Sequence, residues 1–458
     1  MVIGLDCAEP ELVFKRWLDR LPNIRSLIER GVYGPLRSCD PPITVPAWAV
    51  MTSSKKPGTL GVYGFRNRAN YSYDEHMIAN STAIKADRVW DILSRHNKKV
   101  ILLGIPQTFP PKPVNGVLVG DFLTPDTKSD YTYPSELKNE ITKVVGDYVL
   151  DVREFRSDKK DSILKEIFEM TRKRFQLASY LLTEKEWDYF MMVEIGVDRI
   201  QHAFWAYMDE THRNYRPGNN YQNVILEYYQ FVDSQIGELL KLADKTTTVF
   251  VVSDHGAQKM EGSICINEWL IKEGYLVLHE MPKAPTPFAK LKIDWSNTRA
   301  WGDGGYYSRI SLNVRGREPQ GTVELSEYER LRAELIAKIE AIPDEKGRSI
   351  GTRVFRPEEL YKTRNGVAPD LMVYFGNLAW RSAGTVGRGS IYTFENDTGP
   401  DDANHGQYGI FIARPSAGKG GQSLLGLEIQ DIAPTVLKIL DVPIPNDMEG
   451  KVIQAAVR

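Results

Sequence analysis

TTVFVVSDHGAQ, residues Thr247–Gln258, is a β-branched and aromatic run that stops abruptly at Asp254-His255-Gly256. Thr247–Val252 carries no polar alternation, the pattern of a strand buried on both faces, as in a parallel sheet covered by helices. Within a strand, neighbouring side chains point to opposite faces, so adjacent aspartate and histidine do not ordinarily meet one ligand. At the carboxyl end of a parallel strand that restriction relaxes, and open α/β sheets bind their ligands there. The stretch therefore predicts an open α/β sheet with polar chemistry at its carboxyl edge.

Outward from this point, the same pattern recurs. Val2–Leu5 is a short apolar strand that ends at Asp6, and a helical period follows over Glu11–Gly31. Tyr33–Ser38 reads as a strand; the turn after it feeds a helix over Pro46–Ser53, with proline in the favourable first turn. Thr44 is thereby placed just before a helix N-terminus, where N–H groups and the dipole welcome phosphate. Residues 55–85 read as loop, Ala86–His96 as helix, and Val100–Ile105 and Gly116–Phe122 as strands. A helix over Asp161–Leu182 and a strand over Tyr189–Ile195 lead to Asp198 and His202, four apart and so on one helical face. Tyr221–Leu242 is the helix that returns to the opening stretch.

Residues 267–350 change texture, with prolines, alternating segments and an amphipathic helix over Ser326–Ile342; they read as an inserted α+β cap subdomain. Residues 1–266 and 351–458 then form the main domain, with Asp370–Phe375 and Gly409–Ala413 as further strands and Ile429–Leu440 as the last helix. Alternating strands and helices predict a doubly wound, mostly parallel sheet.

Bulk properties narrow the function. The 458 residues are 42% hydrophobic and 26% charged, with a formal net charge of −2. That balance gives no pull towards a nucleic acid polymer or an anionic membrane. No apolar run approaches the roughly 18 residues of a membrane helix. Cys7, Cys39 and Cys265 are widely spaced and odd in number, which fits a reducing compartment rather than a disulfide framework. The opening MVIGLD is a strand with no leader-like pattern, so a cytoplasmic location is expected. The chain does not specify an oligomeric state.

Seven polar residues end strands or open the loops after them: Asp6, Thr44, Asp198, His202, Asp254, His255 and His405. Three of the chain's seven histidines fall in this set; His76, His96, His212 and His279 stand in polar contexts and read as surface residues. Carboxylates mixed with imidazoles suit zinc or manganese, and two such ions need about eight contacts. Three aspartates and a threonine alkoxide would balance two dications.

The stretches IGLDCAEP, PPITVPAWAVMTSSKKPGTLGVYGF, IPQTFPPKPVNG, VDRIQHAFW, VVSDHGA, NHGQYGIF and DIAPTVLKIL resemble, in order, those of the alkaline phosphatase superfamily. The likeness is to its type I phosphodiesterase/nucleotide pyrophosphatase-like members, in a prokaryotic phosphohydrolase or phosphomutase branch. Gly58-Thr59-Leu60-Gly61 departs from the family, which commonly has a histidine before the second glycine; this bears on substrate detail. The resemblance implies a metal-dependent hydrolase acting on a small phosphate ester, with diesters or nucleotides favoured. It implies two divalent ions, zinc ahead of manganese: one held by Asp6, Asp254 and His255 with Thr44 as nucleophile upon it, the other by Asp198, His202 and His405. A coordinated hydroxyl is acidified enough to attack phosphorus, and the second ion, about 4 Å away, stabilises the leaving oxygen. A phospho-threonine intermediate follows.

Three rivals are weighed against this. Sulfatases need a convertible Cys or Ser within C/S-x-P-x-R, and Thr44-Val45-Pro46-Ala47-Trp48 has neither that residue nor the arginine. Phosphomutases of the cofactor-independent phosphoglycerate mutase type use the same ligands but place a large domain between nucleophile and next ligand, for which the Thr44–Asp198 interval leaves little room. A non-catalytic phosphate-binding protein would be expected to have lost ligands, and all seven are present.

Overall fold

β1 (Val2–Leu5) is the central strand of a mixed sheet and is buried along its whole length. The computed structural model describes residues 1–416 and 420–457. With β2 (Val32–Arg37), β3 (Val100–Leu103), β4 (Gly116–Val119), β5 (Tyr189–Glu194), β6 (Val249–Val252) and β7 (Tyr408–Arg414), the spatial order is β2-β7-β6-β1-β5-β3-β4. The five strands from β6 to β4 are parallel, as the apolar runs predict. β7 runs against both β6 and β2, which makes the sheet mixed at that end.

The helices that cover the sheet are α1 (Pro22–Glu29), α2 (Thr44–Ser53), α3 (Val89–Arg95), α4 (Lys160–Glu184), α5 (Gly196–Met208), α6 (Val224–Leu242) and α7 (Ile432–Ile439). Val2, Leu102, Met191, Val193, Phe250 and Phe411 share one core with Trp48 and Met51 of α2, Trp90 and Leu93 of α3, and Val436 and Leu437 of α7. The residues between them, such as Ile3, Leu103, Met192 and Val251, are equally buried and point to the opposite face. There α4 lies against β3 and β5 and packs with α5 and α6, while α1 packs on α6. The sheet is doubly wound. No helix among the described residues is long and apolar enough to cross a membrane.

Several local expectations change. The helix expected over Glu11–Gly31 is broken into Leu12–Arg16, Leu18–Arg20 and α1. Pro22 explains the last break: without an N–H it cannot continue a helix, but it suits the first position of a new one. Within residues 55–85, expected as loop, Pro57–Leu60 is helical and Arg66–Arg68 pairs antiparallel with His76–Ile78.

The chain divides into two units. The first is Met1–Leu60, Ala79–Ala257 and His405–Arg458; the second is Gly61–Ile78 with Gln258–Asn404. The second is thus larger than the 267–350 insert expected from the sequence. Its four-stranded antiparallel sheet orders Ala300–Asp303, Ser308–Leu312, Leu371–Tyr374 and Arg353–Phe355, packed on the helix Tyr328–Glu340 through Ile310, Leu331, Leu335 and Val373. The Asp370–Phe375 run, expected in the main domain, joins this sheet by pairing with Ser308–Leu312. An apolar run identifies a buried strand but not its partner, because register and neighbour are settled by tertiary packing.

Candidate metal centre

Strand direction assembles the site. β1, β5 and β6 are parallel, so Asp6, the amino-terminal turn of α5 and Asp254-His255 all emerge at one edge of the sheet. β2 is antiparallel to β7 and therefore runs the same way as β1; it feeds α2 at that edge. Because β7 is reversed, its amino end lies there too, and His405 stands just ahead of it. Thr44 is the first residue of α2 rather than the residue before it, with extended Ile43 as the cap.

All seven residues are buried, none more than 3% exposed. Thr44 Oγ1 is 3.3 Å from His255 Nε2. That nitrogen is 3.1 Å from Asp254 Oδ2 and 3.7 Å from Asp6 Oδ1. Asp198 Oδ1 is 3.1 Å from His202 Nε2 and 3.6 Å from His405 Nε2. The His255 and His405 rings stack with centroids 3.8 Å apart, joining the two halves. Ligand-capable atoms of Asp6, Asp254 and His255 lie within 4.8 Å of one another, as do those of Asp198, His255 and His405, and those of Cys7, Asp198 and His202. The first triplet is the expected one; the second expected set gathers on Asp198 but is shared with His255 on one side and Cys7 on the other.

Backbone carbonyls orient two of the rings. His405 Nδ1 is 2.9 Å from the Pro42 carbonyl and His255 Nδ1 is 3.0 Å from that of Gly256. A carbonyl only accepts, so Nδ1 carries the proton in both rings and Nε2 faces the carboxylates with its lone pair. Burial lowers the His255 pKa to about 4 and holds that of His405 well below its ordinary value, so both rings are neutral. Burial, with Asp198 nearby, pushes Asp6 well above the usual carboxylate range; burial and Asp6 do the same to Asp254. Burial also opposes the charge on Asp198, but His202 and the Arg199 guanidinium outweigh it and hold that carboxyl well below the usual range.

Asp6 Oδ1, Asp198 Oδ1 and Asp254 Oδ2 are buried and accept no hydrogen bond. An unsatisfied buried acceptor costs about 1–3 kcal/mol, and more when charged. Carboxylate oxygens and imidazole lone pairs converging in this way fit a divalent cation.

Residues beyond the expected seven complete the site. Trp48, one turn along α2 from Thr44, donates its indole N–H to Asp6 Oδ2 at 2.7 Å. Gly4 makes room for that indole, since a Cβ there would stand 2.5 Å from Trp48 Cη2 and 3.0 Å from the Met192 carbonyl. Gly4→Ala is expected to destabilise the protein by about 1–3 kcal/mol through overpacking, read as an earlier midpoint in urea unfolding. Cys7 leaves β1 with φ of 67° and donates its N–H to Asp254 Oδ1 at 3.1 Å. Sequence carried hints of Trp48, at i+4 from Thr44, but none that Gly4 is its seat. Of the four histidines expected at the surface, His76, His96 and His279 are exposed, whereas His212 is buried and accepts the Asn214 N–H at 3.1 Å. His212 stands in the turn after α5, its N–H bonded to the Asp209 carbonyl, a local feature without periodicity.

The mixed α/β sheet is the alkaline phosphatase-like fold, and the family to which the chain belongs makes it a hydrolase of phosphate esters. The family model described as type I phosphodiesterase/nucleotide pyrophosphatase matches residues 1–401, and the chain belongs to that family. Among solved structures, human ectonucleotide pyrophosphatase/phosphodiesterase 5 is similar at a TM-score of 0.58 and 12% identity, covering 100% of this chain and 97% of that one. The murine protein, as an inactive variant in complex with AMP, gives a TM-score of 0.58 and 12% identity over 97% of this chain and 96% of that one. At such identity the likeness is one of fold. No curated protein sequence matches.

Proposed function

We propose that this protein is a two-metal phosphodiesterase with Thr44 as nucleophile. Asp6, Asp254, His255 and Thr44 would hold one ion, and Asp198, His202 and His405 the other; zinc is the first candidate and manganese the second. The observation that carries this reading is the convergence of three buried, unpartnered carboxylate oxygens with the imidazole nitrogens beside Thr44. Bound dications supply the Lewis acidity that ionises a hydroxyl and neutralises phosphoryl charge.

The chain's own groups do the rest. Thr44 Oγ1 sits at the amino end of a ten-residue helix, where the dipole favours an alkoxide and the phosphate it attacks. Its in-line attack would form the Oγ–P bond and break the bond to one ester oxygen, which leaves as the alcohol with the proton that Thr44 gives up; the phosphoryl group, still carrying its second ester substituent when the substrate is a diester, stays on Thr44 until water cleaves it. His255, fixed through Nδ1, keeps Nε2 towards the nucleophile, and Trp48 fixes Asp6.

Nucleotide or diester substrates are favoured by the family's description and by the AMP bound to the murine neighbour. The mutase alternative is disfavoured, because the only part of the second unit between Thr44 and Asp198 is Gly61–Ile78. The first unit, which holds all seven residues, is the proposed catalytic domain and the second an inserted subdomain. A cytoplasmic location is proposed on the three free, buried cysteines.

Hydrolysis of bis-p-nitrophenyl phosphate, p-nitrophenyl phosphate and a p-nitrophenyl nucleotide by chelated protein resupplied with zinc or manganese tests the reading. Metal-dependent diester or nucleotide turnover above monoester turnover is expected. Monoester preference would make it a phosphatase, and inactivity on all three with metal bound would favour the mutase.

A further inference from the structure

Arg199 follows Asp198 on α5 and is 7% exposed. Its Nε and Nη2 fork onto the two carboxylate oxygens of Asp151 at 2.8 and 2.9 Å, while Nη1 donates to Asp198 Oδ2. The guanidinium lies over the rings of Phe155 and Phe122, with Cζ 4.4 and 5.6 Å from their centroids. A planar arginine that forks onto one carboxylate, bonds a second and lies over two rings is held in one orientation. Asp198 is consequently divided: Oδ2 is committed to Arg199, and Oδ1 faces His202 and His405.

We propose that Asp151 and Arg199 are a positioning pair for the divalent cation of Asp198, His202 and His405, an inference that rests on the site reading above. Arg199 confines Asp198 to single-oxygen ligation. Asp151 does two things: it aims the guanidinium and cancels its charge, so that a fixed positive group does not oppose the incoming dication. The three groups together carry one net negative charge, that of an ordinary carboxylate ligand, but in a fixed direction. Asp151 lies 47 residues before Asp198, so the pair also ties the loop ahead of α4 to the second ligand set.

The test is zinc titration of the metal-stripped full chain by calorimetry, with metal content measured after dialysis. The wild type is expected to take up two ions. Asp151→Asn, nearly isosteric, and Arg199→Gln are expected to weaken one of the two binding events by about 10–100-fold and leave the other unchanged, the usual effect of losing an outer partner of a ligand. Arg199→Lys is expected to recover only part, because an ammonium cannot fork to Asp151 while reaching Asp198. Thermal melting of the same metal-free variants checks folding. Two events of wild-type affinity in folded Asp151→Asn and Arg199→Lys would overturn the proposal, as would equal weakening of both events, which marks a general structural role. A wild type that takes up no ion would instead overturn the site reading itself.

Discussion

Thr44→Ala is expected to lower phosphodiester turnover by ~10⁴-fold or more, the scale seen when a covalent nucleophile is removed from a preassembled site. The variant should fold, because Thr44 is the first residue of α2, its hydroxyl caps nothing, and alanine is the best helix former. Circular dichroism and zinc uptake should therefore stay close to wild type while activity disappears, with at most a modest loss in affinity for the ion beside Asp6. Rapid acid quench of the wild type during diester turnover should leave the phosphoryl group, with its remaining ester substituent, on the peptide that contains Thr44, and none in the variant. Thr44→Ser should keep measurable turnover, since it retains a hydroxyl at the same helix end. Activity of Thr44→Ala within tenfold of wild type, with no phosphate trapped on the wild-type peptide, would remove threonine from the mechanism.

Chelation is expected to have the second large effect, on stability as well as on turnover. Asp6, Asp198 and Asp254 are buried within one cluster, and each leaves an oxygen without a hydrogen-bond donor. A cation that binds this folded cluster and not the unfolded chain stabilises by RT ln(1 + [L]/Kd), about 4 kcal/mol at a thousandfold excess over Kd. Adding zinc or manganese to chelated protein should raise the melting temperature by several degrees, increasing with metal concentration, and restore activity in parallel. Asp254→Asn should blunt both responses. An unchanged melting temperature over the concentrations that restore activity would separate activation from these buried ligands.

Much of the first unit was legible because burial writes itself as uninterrupted apolar runs: Val2–Leu5, Val100–Leu103, Tyr189–Glu194 and Val249–Val252 are all strands near their expected positions. Asp6, Asp254 and His255 stood out for the complementary reason, that they end such runs, while Thr44, Asp198 and His202 lie on the helices that follow β2 and β5 and His405 just ahead of β7. Direction and partnership were not legible. Nothing in Tyr408–Arg414 marks it as the reversed strand, and nothing in Leu371–Tyr374 assigns it to the other sheet. Gly4 and Trp48, or Asp151 and Arg199, are 44 and 48 residues apart, and only the folded chain shows that one is fitted to the other. Pro42 escapes notice because its contribution is a backbone carbonyl, which every residue possesses.

The reversed strand also sets a timetable. Among the described residues, β2 is hydrogen-bonded into line with the parallel strands through β7, and His405 enters with it. During synthesis the strand that leads to Thr44 emerges some 370 residues ahead of its neighbour in the sheet, and it is joined to the parallel strands only once residues 408–414 have left the ribosome. Asp6, Asp198, Asp254 and His255 can gather beside β1, β5 and β6 before that; the helix that begins at Thr44, and His405, are seated afterwards. Pairing over so long a span of chain is slow to form. On the proposed reading, Thr44 thus waits for a strand that the ribosome delivers some 360 residues later.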